Sequence, residues 1–556
     1  MALLVNGALK SAISLERLTR RKFDGSFPAL AIDYVLNAQN LTPSDIDCVV
    51  FFESPFLKLQ RQEKVSNQNI ALSKKYTLLF QAEYYIQKYF GKEIEIHYSE
   101  HHLSHLLHSY YQANFKQSCF LIVDGVGEVS CSLSGYIDEK SIESFETDLF
   151  PHSLGLYYSA FTQYLGFKAN SDEYKVMGLA AYGRPKFTDK LKNTFSNTEN
   201  NRPMLNLDYF TFQANQNSLF TEALVQHLGI KPRDENEEIT QTHKDLAASV
   251  QKVLEDELVN KTQKLKRKYP DVDNLVLGGG VALNCLANLA IKRCGAFKNV
   301  FVPYACGDEG GAIGAAFYGA RKHGLTIKKS TPYLGKVYSQ TNNLDQYFLT
   351  SRPAESETIA SLLKKGAIVG LFSEGAEFGP RSLGARSILA HPNLTGMKAK
   401  INKHIKLREN FRPLAPVIIE KYGYKYFKNF YPSPYMTMVF ESNLIAQQKI
   451  PQALHVDGTA RVQSVNDPNM LLYQILMDFN ILTDIPALIN TSMNLNTEPI
   501  VETELDAFFF FVRSKIDYLV LNDTLYAITE LKPEYYDFIN SYYKDYRHAN
   551  RDGYTF

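Results

Sequence analysis

The sequence predicts an α/β protein of two large domains, and three observations lead to that prediction. Short apolar segments typical of buried strands alternate along most of the chain with segments of helical periodicity. Glycine-rich turns separate several strands from the helix that follows, as at residues 278–280 and 307–311. The length of 556 residues suits two large domains or roughly three to four of average size.

Composition excludes several classes of protein. Hydrophobic residues make up 45% and charged residues 21% of the chain, which is typical of a globular protein and not of a disordered chain, a collagen or a coiled coil. With 60 basic and 59 acidic residues the net charge is +1, whereas a dedicated nucleic-acid coat is far more basic. We therefore expect no nucleic acid among the partners.

The sequence also predicts a cytoplasmic protein with no membrane partner. No apolar stretch approaches the roughly 18 residues that span a bilayer. The most apolar run, residues 507–512, fits a buried strand or a turn of helix. The N-terminus lacks the pattern of a secretion signal. The 6 cysteines form no C-x-x-C pair, which favours reduced thiols over a zinc ribbon or a redox dithiol.

Local patterns predict the elements of the first half in order. Asn6-Gly7 between two apolar runs predicts a β-hairpin. Helical periodicity marks residues 29–36 and 244–262. Buried strands are predicted at residues 47–52, 119–123 and 274–277, a hairpin partner begins at Val129, and strand, turn and helix recur over residues 300–319.

The composition changes in the middle of the chain. Residues 328–355 are rich in Ser, Thr, Asn, Gln and Pro and are predicted to form a linker. A second α/β unit begins near Ile359 with a helix, then a strand at residues 367–372 and a glycine-rich turn. The predicted domains are therefore residues 1–345 and 355–530, followed by a polar tail at 531–556.

One histidine-rich segment is a candidate metal site. In a helix, His101 and His105 lie on one face, close enough to share a metal. Asp124 closes a predicted strand and Asp308 lies in a glycine-rich turn, so the four side chains could bind iron, manganese or zinc. The alternatives are a histidine-rich surface helix and aspartates that cap turns.

A glycine-rich turn is a candidate anion site. Gly278, Gly279 and Gly280 precede a predicted helix near Asn284, and such a turn lets a ligand approach the backbone and the helix N-terminus. The turn is not a Walker A loop, because no Lys-Ser or Lys-Thr follows. The alternative is that the glycines allow a helix to pack closely on a strand.

Many cations of the second unit lie among glycine, serine, proline and asparagine. Brought together, they would hold a polyanion such as a nucleoside triphosphate or an acyl phosphate. The alternative is a solvated basic face. The cations are Arg381, Arg386, Lys406, Arg408, Arg412 and Arg461.

Taken in order, these segments resemble one family closely, the O-carbamoyltransferases of the nodulation protein U, cephamycin carbamoyltransferase and tobramycin carbamoyltransferase type. The resemblance covers nearly the whole chain. It rests on SLERLTRRKFDGSF, HHLSH, DGVGE, SLGLYYSAFTQYLGF and EYKVMGLAAYG, and continues through LGGGVALN, GDEGGAIGAA, EFGPRSLGARSILAHP, KLRENFRPLAP and NTSMNLNTEPIV.

The resemblance implies a fold and an activity. It implies an N-terminal domain of the acetate-kinase/sugar-kinase/Hsp70/actin type, in its threonylcarbamoyltransferase-like version, followed by a YrdC-like α/β domain. The second domain would make carbamoyl-adenylate from carbamoyl phosphate and ATP with Mg²⁺. The first would transfer the carbamoyl group to a hydroxyl of a small molecule or sugar. A homodimer is compatible with the family.

The resemblance also implies roles for particular residues. Lys406 and Arg408 match the Lys-x-Arg signature of YrdC-like domains, and Ser492 and Asn494 match the Ser-x-Asn signature. Lys175, in EYKVMG, matches the pocket of the first domain, with a capped helix start as the competing interpretation. The iron-type metal of the family maps onto His101, His105, Asp124 and Asp308.

The chain departs from the family at its start. The family usually has a further strand and a Gly-His-Asp-type loop ahead of the segment that matches residues 2–5, so we expect this strand and loop to be missing here. The cause would be a misplaced start codon or a truncation that impairs transfer. Two other functions stay open: a tRNA threonylcarbamoyl-type transferase, and a truncated nucleotide-binding protein without transfer activity.

Overall fold

The computed structural model describes residues 1–66, 71–91, 94–197, 203–213, 218–338 and 344–536. Within these ranges strands and helices alternate, which confirms the predicted α/β class. The chain divides into two compact units. The first unit comprises residues 4–8 and 42–330, and the second comprises residues 1–3, 9–41 and the described residues from 331 onward. No helix of the described residues has the length and apolarity needed to cross a membrane.

A mixed five-stranded sheet forms the centre of the first unit. Its strands, in spatial order, are Asn299–Phe301, Asn274–Gly278, Gln117–Val123, Ser130–Asp138 and Ile142–Leu149. The first three run parallel, and the last two continue the sheet as antiparallel neighbours. Because parallel strands end at the same edge, the residues that follow Val123 and Gly278 lie close together there.

The helices of the first unit bury apolar faces against this sheet and against one another. The longest, Gln241–Lys268, begins at Thr240, whose hydroxyl accepts a hydrogen bond from the His243 backbone, and it buries the apolar face that the sequence predicted. The others are Pro55–Ser66, Leu72–Phe90, His101–Ala113, Leu154–Tyr164, Glu173–Ala180, Thr188–Lys192, Glu222–Leu228, Cys285–Arg293 and Gly311–Lys322.

Several short pairs of strands lie outside this sheet. The strands Cys48–Phe51 and Glu95–Tyr98 form a parallel pair in the first unit. The predicted N-terminal hairpin forms between Ala2–Val5 and Ala8–Ala12, and Asn6 and Gly7 both take positive φ as its two-residue turn requires. Phe195–Asn197 and Pro203–Leu205 form an antiparallel pair.

A mixed eight-stranded sheet forms the centre of the second unit. Its strands, in spatial order, are Arg352–Pro353, Thr524–Ala527, Tyr518–Leu521, Val369–Phe372, Arg386–Ala390, Ala487–Ser492, Ala415–Ile419 and Gln463–Val465. The strands Val439–Glu441 and Thr459–Arg461 form a separate antiparallel pair. The inner strands are almost wholly buried, as expected for a sheet covered on both faces.

The helices of the second unit include one with four consecutive buried phenylalanines. This helix, Glu504–Ser514, begins at Thr503 with a capping box to Asp506. It contains the apolar run 507–512, which is therefore helical and not a strand. The others are Leu15–Thr19, Ala29–Asn37, Ser356–Lys364, Met397–Lys400, Glu420–Tyr426, Leu444–Lys449 and Leu471–Thr483, with a π-helical turn at Ile401–Ile405.

Residues 9–41 belong to the second unit, although the predicted domain 1–345 would group them with the first. The guanidinium of Arg20 donates to the backbone oxygens of Pro499 at 2.8 Å and Ile500 at 2.7 Å. The Tyr34 hydroxyl donates to Glu502 at 2.5 Å. A buried guanidinium is stable only when acceptors surround it, so this segment is fixed to the strands and loops around Glu502.

The predicted linker is wrong for the residues that follow Thr331. The Gly335 backbone donates to Ala376 O at 2.9 Å, and Leu334 is buried. Leu344 and Phe348 are buried as well. The polar composition of the segment concealed these anchoring side chains. Residues 339–343 of the predicted linker lie outside the described residues.

Candidate active site

The helix His101–Ala113 brings two histidines together, as the sequence predicted. The Nε2 atoms of His101 and His105 lie 3.1 Å apart. Both rings are buried, and one turn of helix separates them. The alternative of a histidine-rich surface helix is therefore wrong for these two residues.

Two carboxylates meet the histidine pair. Asp124 follows the strand Gln117–Val123, and its Oδ2 lies 3.1 Å from Nε2 of His101 and 3.0 Å from Nε2 of His105. Asp308 comes from the turn before the helix Gly311–Lys322, and its Oδ1 lies 3.4 and 3.5 Å from the same nitrogens. Asp124 is buried, whereas the Asp308 side chain is 71% exposed and opens the group to solvent.

The geometry of this group fits a divalent metal ion. One ligand atom from each of the four residues lies within 4.8 Å of the others. For metal–ligand distances of about 2.1 Å, neighbouring ligand atoms stand about 3.0 Å apart in an octahedron and about 3.4 Å apart in a tetrahedron. The separations around His101 and His105 match these values. A mixed nitrogen and oxygen donor set accepts iron, manganese or zinc.

The charges of the group also favour a bound cation. Burial lowers the pKa of His101, but hydrogen bonds to Asp124 and Asp308 outweigh that effect and raise the pKa to about 10. Burial raises the pKa of Asp124, but the two imidazoles hold it well below its usual range. The carboxylates therefore draw positive charge to this point, which a proton or a metal cation can supply.

Residues that the sequence did not single out hold the group in place. Glu128 accepts hydrogen bonds from the backbone nitrogens of His101 at 2.9 Å and Ser54 at 2.8 Å, so it fixes the N-terminus of the histidine helix. Ser153 caps the next helix and donates to Asp124 O at 3.1 Å. The motifs DGVGE and SLG contained both residues, but only the fold shows what they contact.

The glycine turn at Gly278–Gly280 packs against the same edge of the sheet. A Cβ on Gly280 would stand 2.9 Å from Oδ1 of Asp124. Gly279 has φ +83° and its α-carbon faces the backbone of Val123. A Cβ on Gly278 would stand 2.7 Å from Oγ of Ser109, so close packing accounts for all three glycines, and the turn borders the predicted metal ligands.

Asn284 has a defined structural role at the end of this turn. Its Oδ1 accepts a hydrogen bond from the Ala287 backbone at 3.0 Å and caps the helix Cys285–Arg293. Its amide exchanges two hydrogen bonds with the amide of Gln251. The amide is therefore engaged within the fold, and nucleotide contact by Asn284 stays a prediction.

Lys175 lies in the first turn of the helix Glu173–Ala180. Its ammonium pairs with Asp172 at 3.1 Å and stands 5.5 Å from the centre of the Phe167 ring. The neighbouring Glu173 accepts from the Ser159 hydroxyl and the Asn170 backbone. Asp172 stands at the N-cap position but its side chain accepts no capping hydrogen bond, so the alternative of a capped helix start is not matched. The catalytic role of Lys175 stays a prediction.

In the second unit, the structure brings together three of the predicted residues. The Lys406 ammonium donates to the Ser492 and Asn494 backbone oxygens, to Ser492 Oγ at 3.2 Å and to Asn494 Oδ1 at 2.8 Å. Ser492 ends the strand Ala487–Ser492, and its hydroxyl donates to Asn494 Oδ1 at 2.6 Å. The two signatures from distant parts of the sequence thus form one cluster.

The charge on Lys406 is unusual. The residue is 2% exposed, and the groups that contact its ammonium are neutral oxygens. Burial, followed by the positive charges of Arg408, Arg412 and Lys22, lowers its pKa well below the usual range. A buried ammonium among further cations is unfavourable alone and becomes favourable when an anion binds beside it.

Arg408 and Arg412 are held by asparagines near this cluster. Arg408 Nε donates to Asn402 Oδ1 at 2.7 Å, and Arg412 donates to Asn496 Oδ1 at 3.0 Å. The π-helical turn Ile401–Ile405 precedes them, and Leu407 has φ +48°, which a leucine rarely adopts. The strained turn orients Lys406 inward while the Leu407 side chain faces solvent.

Arg386 differs from the other cations because it is fully buried. Its guanidinium donates to backbone oxygens of Ser373, Glu374 and Ala385, and it stacks on the Phe372 ring at 3.6 Å. These contacts show a structural role for Arg386 in holding the strand ends. Contact with a nucleotide would require this network to open.

The remaining two predicted cations are half-buried. Arg381 lies in the turn before the strand Arg386–Ala390. Arg461 ends the strand Thr459–Arg461, which pairs with Val439–Glu441 outside the large sheet. Their roles in binding a nucleotide stay predictions.

Comparison with known proteins identifies the family of the chain. Residues 1–317 match the family described as Carbamoyltransferase N-terminus, and residues 360–527 match Carbamoyltransferase C-terminus. An uncharacterised protein of Synechocystis, sll1178, is 35% identical over 95% of this chain and 94% of its own length. The nodulation protein NolNO of Sinorhizobium fredii is 31% identical over 96% of this chain and 79% of its own length.

The structure of HypF from T. kodakarensis aligns weakly, with 18% identity over 46% of this chain and 40% of that chain and a TM-score of 0.25. The two family matches together cover most of the chain and show its family. The protein is a transferase, and the chain belongs to the carbamoyltransferase family.

Proposed function

We propose that this enzyme is an ATP-dependent O-carbamoyltransferase with two chemical centres. The second unit forms carbamoyl-adenylate around Lys406, and the first unit transfers the carbamoyl group to a hydroxyl at the His101 site. The acceptor is a small molecule or a sugar. The observation that carries the proposal is the buried Lys406 ammonium, which is surrounded by neutral oxygens and by other cations.

The first reaction needs positive charge around phosphates. Water hydrolyses carbamoyl phosphate to carbamate and inorganic phosphate. An oxygen of the carbamate then attacks the α-phosphorus of ATP. The bond to the bridging oxygen breaks, and pyrophosphate leaves with the electron pair. Lys406, Arg408 and Arg412 neutralise the charge that develops on these phosphates. Ser492 and Asn494 hold the Lys406 ammonium in its position.

The second reaction is an acyl transfer. The acceptor hydroxyl oxygen bonds to the carbamoyl carbon and gives up its proton to solvent. The bond from that carbon to the AMP oxygen breaks, and AMP leaves with the electron pair. His101, His105, Asp124 and Asp308 would hold a divalent metal of the iron type. When bound, such a metal supplies a positive charge that polarises a coordinated oxygen. Glu128 fixes the start of the helix that carries the two histidines.

The test follows the first reaction without any acceptor. Purified protein is incubated with ATP, carbamoyl phosphate and Mg²⁺, and mass spectrometry detects carbamoyl-adenylate while a coupled assay detects pyrophosphate. We expect Lys406→Ala and Arg408→Ala to reduce pyrophosphate release by about 100-fold or more, because each removes a cation that would neutralise charge on the phosphates.

Lys403→Ala is the matched control. Lys403 lies in the same π-helical turn as His404 and Ile405, but its side chain is exposed. This variant should release pyrophosphate at the rate of the unchanged protein. Folded protein that forms no carbamoyl-adenylate would overturn the proposal and favour a nucleotide-binding protein without transfer activity.

A further inference from the structure

A second group of metal-binding side chains lies in the first unit, apart from the His101 site. Cys48, His97 and His323 each place one ligand atom within 4.8 Å of the other two. All six cysteines of the chain are free thiols, so Cys48 is available as a ligand. A thiol and two imidazoles are a donor set typical of zinc.

The secondary structure explains how residues so distant in sequence meet. The parallel strands Cys48–Phe51 and Glu95–Tyr98 pair with Cys48 opposite Glu95 and with Val50 opposite His97. Side chains of paired residues point to the same face of such a ladder, so Cys48, Glu95 and His97 share one face.

The helix Gly311–Lys322 supplies the third side chain. The helix packs on the strand pair at Gly319, where a Cβ would stand 2.9 Å from Cγ2 of Val50. His323 caps the C-terminus of this helix. The imidazoles of His97 and His323 have ring centres 5.8 Å apart.

The orientation of His97 fits a metal ion that His97 and Glu95 could both bind. The ring is buried, and within the described part of the chain its Nε2 makes no hydrogen bond, although Glu95 Oε1 stands only 3.0 Å away. The two atoms are therefore close without pointing at each other, as expected when both face a third atom. His323 is exposed, which gives an ion a route from solvent.

We propose that Cys48, His97 and His323 bind a Zn²⁺ ion, with Glu95 or a water molecule as the fourth ligand. Zinc displaces the Cys48 proton to solvent and takes the thiolate as a ligand. The ion then joins the C-terminus of the helix Gly311–Lys322 to the two parallel strands. An ion held by three side chains from separate elements links those elements and stabilises the fold.

A substitution of Lys322 should strengthen zinc binding. Its ammonium lies 2.9 Å from Nδ1 of His97. Zinc at Nε2 of His97 leaves a proton on Nδ1, so the exposed Lys322 side chain must turn away to solvent. Lys322→Gln removes a positive charge near the ion and should tighten zinc binding.

The test uses Co²⁺ as a spectroscopic substitute for zinc in the full chain after treatment with a chelator. A cysteine thiolate bound to Co²⁺ gives a near-ultraviolet charge-transfer band. The residues of the His101 site contain no sulfur, so Co²⁺ bound there gives no such band. We expect a saturable band that Zn²⁺ abolishes and that is absent in Cys48→Ser.

Two further variants test whether the band comes from the proposed ligands. His323→Ala changes an exposed side chain and should weaken Co²⁺ binding by at least about tenfold. Cys294→Ser changes a different half-buried thiol and should keep the band. A correctly folded chain that gives no charge-transfer band, or a band that survives Cys48→Ser, would overturn the proposal.

Discussion

Nε2 of His101 and Nε2 of His105 lie 3.1 Å apart. At this distance two nitrogens that both carry a hydrogen, or two that both carry a lone pair, repel each other. Asp124 Oδ2 stands at nearly the same distance from each nitrogen. Three ligand atoms at mutual hydrogen-bond distance are satisfied together by one cation at their centre. This relationship underlies the first two predictions.

Asp124→Asn should remove the metal while keeping the shape of the side chain. The substitution replaces the carboxylate that contacts both histidines with a neutral amide, which is a far weaker ligand. We expect bound divalent metal to fall to background when elemental analysis is made in a Cys48→Ser background, which leaves the His101 site as the remaining candidate metal site among the described residues, on protein purified with iron, manganese or zinc. Carbamoyl-adenylate formation without acceptor should be unchanged.

His102→Gln is the control for this experiment. His102 is the buried neighbour of His101, but its Nδ1 contacts the Ser130 hydroxyl at 2.9 Å. The variant should retain metal. Equal metal content in Asp124→Asn and the unchanged protein would show that Asp124 is not a ligand.

Gly280→Ala should weaken metal binding without altering a ligand. The new Cβ would stand 2.9 Å from Asp124 Oδ1, so the carboxylate has to move. We expect metal affinity, measured by competition with a chelator, to fall by about tenfold or more. Gly25→Ala is the control, because nothing lies within 4 Å of a Cβ there. Unchanged affinity in Gly280→Ala would show that the turn tolerates a side chain.

The ionisation of Lys406 should appear in the pH dependence of stability. Burial and the nearby cations hold its pKa in the folded chain well below 10.5, the value expected in the unfolded chain. Between these two values the unfolded chain binds more protons, so the contribution of Lys406 to the free energy of unfolding increases as pH rises. Lys406→Met lacks this contribution.

We therefore expect the Tm of the unchanged protein, relative to the Tm of Lys406→Met, to increase as pH rises from about 7 to about 10. ATP should reduce this increase in the Tm difference, because a bound anion raises the pKa of Lys406. A difference in Tm that stays constant with pH would mean that Lys406 ionises as an ordinary lysine.

Arg386→Lys should reduce stability and not selectively reduce nucleotide binding. Lysine cannot reproduce the planar fork that donates to three backbone oxygens, nor the stacking on Phe372. We expect urea denaturation to show a loss of about 3 kcal/mol or more in the free energy of unfolding. Arg381→Ala, at a half-buried turn position, should lose less than about 1 kcal/mol. Unchanged stability with lost ATP binding in Arg386→Lys would assign this arginine to the nucleotide.

Local patterns were sufficient for several parts of the molecule. The spacing of His101 and His105 predicts a shared helix face, and Asn6-Gly7 predicts a hairpin, because both depend on neighbours within one turn. The apolar run at residues 507–512 was ambiguous, since a buried helix and a buried strand have the same composition.

Other features depend on contacts that composition does not reveal. Arg386 was predicted as a nucleotide ligand because a cation among glycine and serine is typical of phosphate sites, yet the structure buries it against backbone oxygens. The segment from Thr331 was predicted as a linker, but Leu334 is buried within it. Cys48, His97 and His323 form no sequence motif at all.

The sequence by itself determined the α/β class, the histidine helix and the Lys-x-Arg and Ser-x-Asn signatures, because each is recorded in residues a few positions apart. Only the tertiary structure decided which side chains share a site. Strand pairing brings Asp124 to Gly280, and sheet order brings Lys406 to Asn494. It also decided the surroundings of two buried cations that look alike in sequence. Backbone oxygens and the Phe372 ring surround Arg386, whereas Lys406 lies among neutral oxygens and further cations, because side chains distant in sequence meet only in the folded chain.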